Sequence, residues 1–77
     1  MWQIRYHPAA TAGIYTIPRG PAAIVTEAIR SLVKNPTVGE PVEGKVNMYR
    51  IRPASYVVEY ELNAEQEPQL IIILNIE

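Results

Sequence analysis

Residues Met48–Leu62, MYRIRPASYVVEYEL, decide the fold of this chain. Two runs rich in tyrosine, valine and isoleucine flank Pro53-Ala54-Ser55. Such runs, broken by turn residues, read as two strands joined by a tight connection. Side chains alternate between the two faces of a strand. Tyr56, Val58, Tyr60 and Leu62 therefore share one face, and Val57, Glu59 and Glu61 the other. On the preceding strand Tyr49 and Ile51 lie opposite Met48, Arg50 and Arg52. The apolar sets must meet over a common core. That register sets Arg52 against Val57, Arg50 against Glu59 and Met48 against Glu61.

Outward from this hairpin, Gln69–Ile76 supplies a third strand. Its LIIIL core is apolar at every position, so the strand is expected centrally with both faces at least partly covered. Asn63–Pro68 is the polar turn leading into it. Upstream, NPTVGEPVEGK reads as a loop from its prolines and glycines. PAAIVTEAIRSLVKNP, from Pro21, reads as the main helix, with Ile24, Val25, Ala28, Ile29, Leu32 and Val33 in one apolar stripe and Asn35 pushed out of helical geometry by Pro36. Pro21 suits a first helical position, Lys34 the last turn, and Pro36 stops the helix. Residues His7–Gly20 can form one or two helical turns, weakened by Gly13 and ended by Pro18. Trp2–Tyr6 alternates apolar and polar residues, as a first strand does. The order is β-α-α-β-β-β. The expectation is one α+β domain over residues 1–77, a small antiparallel sheet with its N-terminal helices packed on one face.

Composition narrows the function classes. Cysteine and aspartate are both absent and His7 is the lone histidine. A thiolate site, a disulfide, a Ser-His-Asp triad and a histidine metal cluster are thereby excluded, and no cofactor is implied. The absence of cysteine fits a cytoplasmic setting. No apolar run approaches the ~18 residues of a membrane span, and no signal-peptide pattern opens the chain. The net charge of −1 hides a split. All seven bases lie at or before residue 52 with only three acids, a formal +4; the remaining 25 residues carry five acids and no base, −5. Such asymmetry marks either a polyanion-binding face or two halves that neutralise each other across a sheet. The pairing of Arg50 with Glu59 favours the second. A phosphate-binding surface seldom sets glutamates beside its arginines.

In order along the chain, WQIRYHPAA, YTIPRGPAAIVTEAIRSLVKNP, VGEPVEGKVNMYRIR, PASYVVEYEL and LIIILNIE resemble successive pieces of the RelE/ParE superfamily of bacterial toxins. That resemblance implies the toxin component of a type II toxin–antitoxin module. It implies a cognate antitoxin as partner and a target that is mRNA on the ribosome or DNA gyrase. Arg50 and Arg52 match two basic positions that contact RNA phosphate in the mRNA-cleaving members, and Lys45, following Gly44 in a loop, can join them. Three departures imply a degenerate or truncated active site. Val57 stands where the family keeps an arginine, and Ala54-Ser55 where it keeps a glycine and an aspartate. The chain also ends at Glu77, before the family's usual C-terminal segment. No catalytic residue is assigned.

Two function classes follow, an mRNA interferase and a non-catalytic protein-binding module. The residue chemistry favours the second, because arginine stays protonated and is a poor general base. His7 precedes Pro8 at a strand-to-helix junction, so a capping role outweighs one as general base. Tyr49, Tyr56 and Tyr60 fall on the core face and are read as packing residues rather than base-stacking platforms. LIIIL offers more apolar area than one core face needs, so Leu70, Ile72 and Leu74 are expected to form a partner-binding patch, for the antitoxin or for a second copy in a homodimer.

Overall fold

The structure is a computed structural model covering residues 1–77. Its elements are β1 (Trp2–Tyr6), α1 (Pro8–Tyr15), α2 (Arg19–Ser31), β2 (Glu40–Pro41), β3 (Met48–Ile51), β4 (Val58–Asn63) and β5 (Gln69–Ile76). The strands form one sheet in the order β1-β5-β4-β3-β2. The α+β class and the order of the main elements are those read from the sequence. The sheet, however, is mixed. From β5 to β2 every pairing is antiparallel, while β1 lies parallel to β5, with Trp2 against Gln69 and Tyr6 against Ile73. Parallel neighbours need a crossover connection, and the two helices lie within it. The expected loop over residues 35–45 holds the short edge strand β2, which two residues are too few to announce in sequence.

Helix α1 is capped by His7, whose Nδ1 accepts from the Ala9 backbone N–H at 3.1 Å. Gly13, a weak helix former, is required by packing. A Cβ there would stand 2.7 Å from the Ile76 carbonyl oxygen on β5. Helix α2 begins two residues before Pro21 and ends at Ser31, short of Lys34. Its last turn tightens, with Leu32, Val33 and Lys34 each donating to the carbonyl three residues back. Arg30 rather than Lys34 therefore occupies the final turn. Val25, Ile29 and Leu32 of the stripe are buried, but Ile24 and Val33 are exposed.

The core joins Ala10, Ile17, Val25, Ile29 and Leu32 to Val58, Tyr60, Leu62, Ile71, Ile73 and Ile76. Tyr49, Ile51 and Tyr56 pack against it. Tyr49 and Tyr60 stack with ring centroids 5.7 Å apart. The opposite face of the sheet carries no helix.

Strand β5 lies between β1 and β4, as its apolar run requires. One irregularity shapes its end. Tyr60 faces Ile73 but Glu59 faces Asn75, which makes Leu74 an extra residue. The bulge inverts the alternation beyond it. Ile76 is turned into the core, and Asn75 lies beside Glu59 on the helix-free face.

Candidate functional site

The helix-free face bears a cleft of ≈ 340 Å³ lined by Arg50, Arg52, Val57, Glu59, Asn75 and Glu77. Three features of the chain assemble it. Strand alternation sends Arg50 and Glu59 to this face, and the β3–β4 register sets them opposite one another. The bulge adds Asn75. Two backbone hydrogen bonds between Val57 and Glu77, at 2.9 and 2.8 Å, close the end. Val57 thus pairs with Glu77 and not with Arg52, as the regular register had implied. β3 stops at Ile51, and Arg52 instead leads into the 3₁₀ turn Pro53–Ser55.

Arg50 Nη2 donates to Glu59 Oε2 at 2.7 Å, with each side chain about a third exposed at 33% and 29%. This hydrogen bond is the main reason the Arg50 guanidinium is held above its ordinary pKa. Burial opposes it, and the charges of Glu59, Glu40 and Glu77 add to it. Arg50 Nε is shielded from solvent without a partner. Arg52 is more open and stands 3.5 Å from Glu40 Oε1. Asn75 Nδ2 donates to Glu77 Oε1 at 2.8 Å.

Beneath this face the loop before β2 is fastened to the core. The Tyr60 hydroxyl donates to the Pro36 carbonyl at 2.7 Å and accepts from the Gly39 N–H at 3.2 Å. Burial is the chief cause of the raised Tyr60 pKa; its hydrogen bond with Gly39 lowers it and the neighbouring Tyr49 raises it. This fastening carries Glu40 to its place opposite Arg50 in the β2–β3 ladder.

The lining is balanced, two guanidinium groups against two carboxylates. An incoming phosphate meets Arg52 directly but must displace Glu59 to engage Arg50 fully. Neither arginine can accept a proton at neutral pH. The cleft can thus hold an anion and stabilise developing negative charge; the groups in its lining able to take a proton from a 2′-hydroxyl are the carboxylates Glu59, which Arg50 holds, and Glu77, which accepts from Asn75.

Of the residues singled out in the sequence, Arg50 and Arg52 share this cleft with Glu59, while Lys45 does not line it. Lys45 is exposed in the turn after Gly44, its N–H bonded to the Val42 carbonyl. Leu70 and Ile72 are half-buried and sit opposite Asn63 and Glu61; Leu74 is the bulge residue and breaks their regular alternation. Asn75, Glu77 and Glu40 were not foreseen as members of the site. The one sequence signal was a polar Asn75 at a position that strict alternation assigns to the core. No group of three His, Cys, Asp or Glu side chains is gathered closely enough to hold a metal ion. No helix is long and apolar enough to cross a membrane.

This arrangement of helices and strands recurs in solved toxin–antitoxin complexes. A chain of the intact E. coli RelBE complex superposes with a TM-score of 0.82, at 12% identity over 95% of this chain and 90% of that one. A chain of the Mycobacterium tuberculosis complex RelBE2 gives 0.79 at 23% identity, over 96% and 93%. One from the archaeal RelE–RelB complex of Pyrococcus horikoshii OT3 gives 0.78 at 19% identity, over 99% and 92%. The chain has the RelE-like toxin fold. No protein-family model and no curated protein matches the sequence itself. At these identities it is the RelE-like fold that is shared, and the chemistry of the cleft rests on this chain's own residues.

Proposed function

We propose that this chain is a RelE-like toxin component of a toxin–antitoxin pair whose cleft binds RNA phosphate weakly and does not cut it. The observation that carries this reading is the Arg50–Glu59 ion pair at 2.7 Å, within a RelE-like fold of nearly full length. The pair occupies the cation best placed on the sheet, and the position that would add a further arginine is Val57. The antitoxin would cover the helix-free face along β5, where Leu70 and Ile72 lie opposite Asn63 and Glu61 and form an apolar strip between the polar residues of β1 and β4. That reading draws on the neighbours, which were solved as toxin–antitoxin complexes.

An mRNA interferase is the second reading. It is favoured by the convergence of Arg50 and Arg52 on one cleft. Induced expression of the wild type and of Arg50→Ala/Arg52→Ala separates the two. Binding without cleavage predicts no codon-phased mRNA fragments from either protein. Phased cleavage that vanishes in the double variant would establish the interferase. Growth arrest without cleavage would direct attention to another target, such as gyrase.

A further inference from the structure

Strand β1 is an outer strand of the sheet, bonded only to β5. Which of its backbone groups face outward follows from one bond. The His7 N–H donates to the Ile73 carbonyl at 2.9 Å. In a parallel ladder alternate residues point both their N–H and C=O to one neighbour. Residues 3, 5 and 7 therefore face β5, and the N–H and C=O groups of Trp2, Ile4 and Tyr6 face away from the sheet. No turn, loop or cap bond involves the backbone of these three residues. Common edge protections are missing from β1, which holds no proline, no bulge and only one charge, Arg5.

We propose that β1 is a homodimer interface, in which two copies pair antiparallel about a twofold axis that passes by Ile4 perpendicular to the sheet. The outward residues 2, 4 and 6 are symmetric about Ile4. In this register Ile4 exchanges both backbone bonds with Ile4 of the second copy, and Trp2 does so with Tyr6. Every outward N–H and C=O of the strand then finds a partner, and the two sheets become one. The side chains agree with the backbone. Trp2, Ile4 and Tyr6 lie on the helix side, where Trp2 and Ile4 pack against the core and Tyr6 is 40% exposed. The symmetry sets each Trp2 directly against a Tyr6, an aromatic cross-strand pair of the favourable kind. On the other face Gln3 meets Arg5 of the second copy in the closely spaced, non-hydrogen-bonded pairs. The lone charge of the strand thus never opposes itself. The axis leaves the helices of both copies on the same side. The Arg50 cleft lies across β5 and β4 from this edge and stays open in the dimer.

Sedimentation equilibrium of the full chain across a wide concentration range tests the proposal. Wild type should show a concentration-dependent monomer–dimer equilibrium. Gln3→Glu creates two symmetric pairs with Arg5 and should tighten the dimer by about two- to thirtyfold; Gln3→Arg, with like charges opposed, should weaken it by a similar factor. Both changes are at an exposed position, and circular dichroism should show the fold unaltered. Ile4→Pro removes an outward N–H that β5 does not use and should leave only monomer. A chain that stays monomeric to millimolar concentration overturns the proposal. So does a dimer whose affinity is the same in Gln3→Glu and Gln3→Arg, since that dimer would use another surface.

Discussion

Gly39→Ala is the substitution that most directly probes how the cleft is held. A Cβ at residue 39 would stand 2.7 Å from the Tyr60 hydroxyl, 2.8 Å from the Arg50 carbonyl oxygen and 3.1 Å from Ile51 Cγ2. The first two are closer than such atoms approach in proteins. The Arg50 carbonyl belongs to β3 and cannot swing aside. Tyr60 is fully buried, and its hydroxyl is committed to Pro36 and Gly39. The loop must therefore lift from the sheet. Overpacking of this kind costs about 1–3 kcal/mol. Loss of a buried hydroxyl's partners adds about 1 kcal/mol, or more if nothing replaces them. Together these come to about 2–4 kcal/mol, a large share of the ~5–10 kcal/mol that holds a small domain. At ~4–8 °C per kcal/mol for a domain of this size, Tm should fall by at least ~8 °C. Thermal unfolding followed by circular dichroism, with urea unfolding followed by the fluorescence of Trp2, measures the effect. Tyr60→Phe deletes the hydroxyl that the new methyl strikes, so the double variant should lose less than the sum of the two singles. A Gly39→Ala protein within ~0.5 kcal/mol of wild type, or strict additivity with Tyr60→Phe, would refute the argument.

Glu59→Gln leaves the cleft lining with one uncompensated positive charge; single-stranded RNA should bind several-fold more tightly, with a log–log salt slope steeper by about 0.7 per added phosphate contact. Fluorescence anisotropy at several salt concentrations checks this, and an unchanged slope would count against Glu59 as the group that blocks Arg50. Gly13→Ala should destabilise by about 1–3 kcal/mol although alanine is the better helix former by ~1 kcal/mol, because its methyl meets the Ile76 carbonyl; urea midpoints report the sign. Ser55 is exposed with φ 69°, so Ser55→Gly should relieve left-handed strain and raise the urea midpoint by the equivalent of about 0.5–1 kcal/mol. Desolvation raises the Tyr6 and Tyr60 pKa values above the ordinary 10.0. The folded state then holds these protons longer than the unfolded chain does. Their contribution to stability is complete below about pH 10 and is lost as pH climbs through the folded values. Urea midpoints measured from pH 8 upward should fall on that schedule, and less steeply in Tyr60→Phe.

Much of the cleft was legible in the sequence. Alternation along Met48–Ile51 and Val58–Asn63, with the apolar sets required to meet, set Arg50 against Glu59 and Met48 against Glu61, as the ladder has them. Local chemistry likewise located the caps and breaks around His7, Pro18 and Pro36, and the burial of Tyr60. These are decided by neighbours in the chain or by a period of two. What involved distant backbone was out of reach. Gly13 reads as a weak point of a helix until β5 is seen to pass beneath it. Glu40 and β2 reach the site because Tyr60, 21 residues from Gly39, fastens the loop.

The sequence by itself determined which residues β3 and β4 present to which face, and therefore that Arg50 would meet Glu59. Only the tertiary structure decided that β1 runs parallel beside β5 with its own edge left open, and that one extra residue at Leu74 brings Asn75 and Glu77 into the cleft. The division has one physical cause. Side-chain alternation is a local property of an extended backbone, whereas strand neighbours and bulges are settled by which packing of the whole sheet buries its apolar side chains.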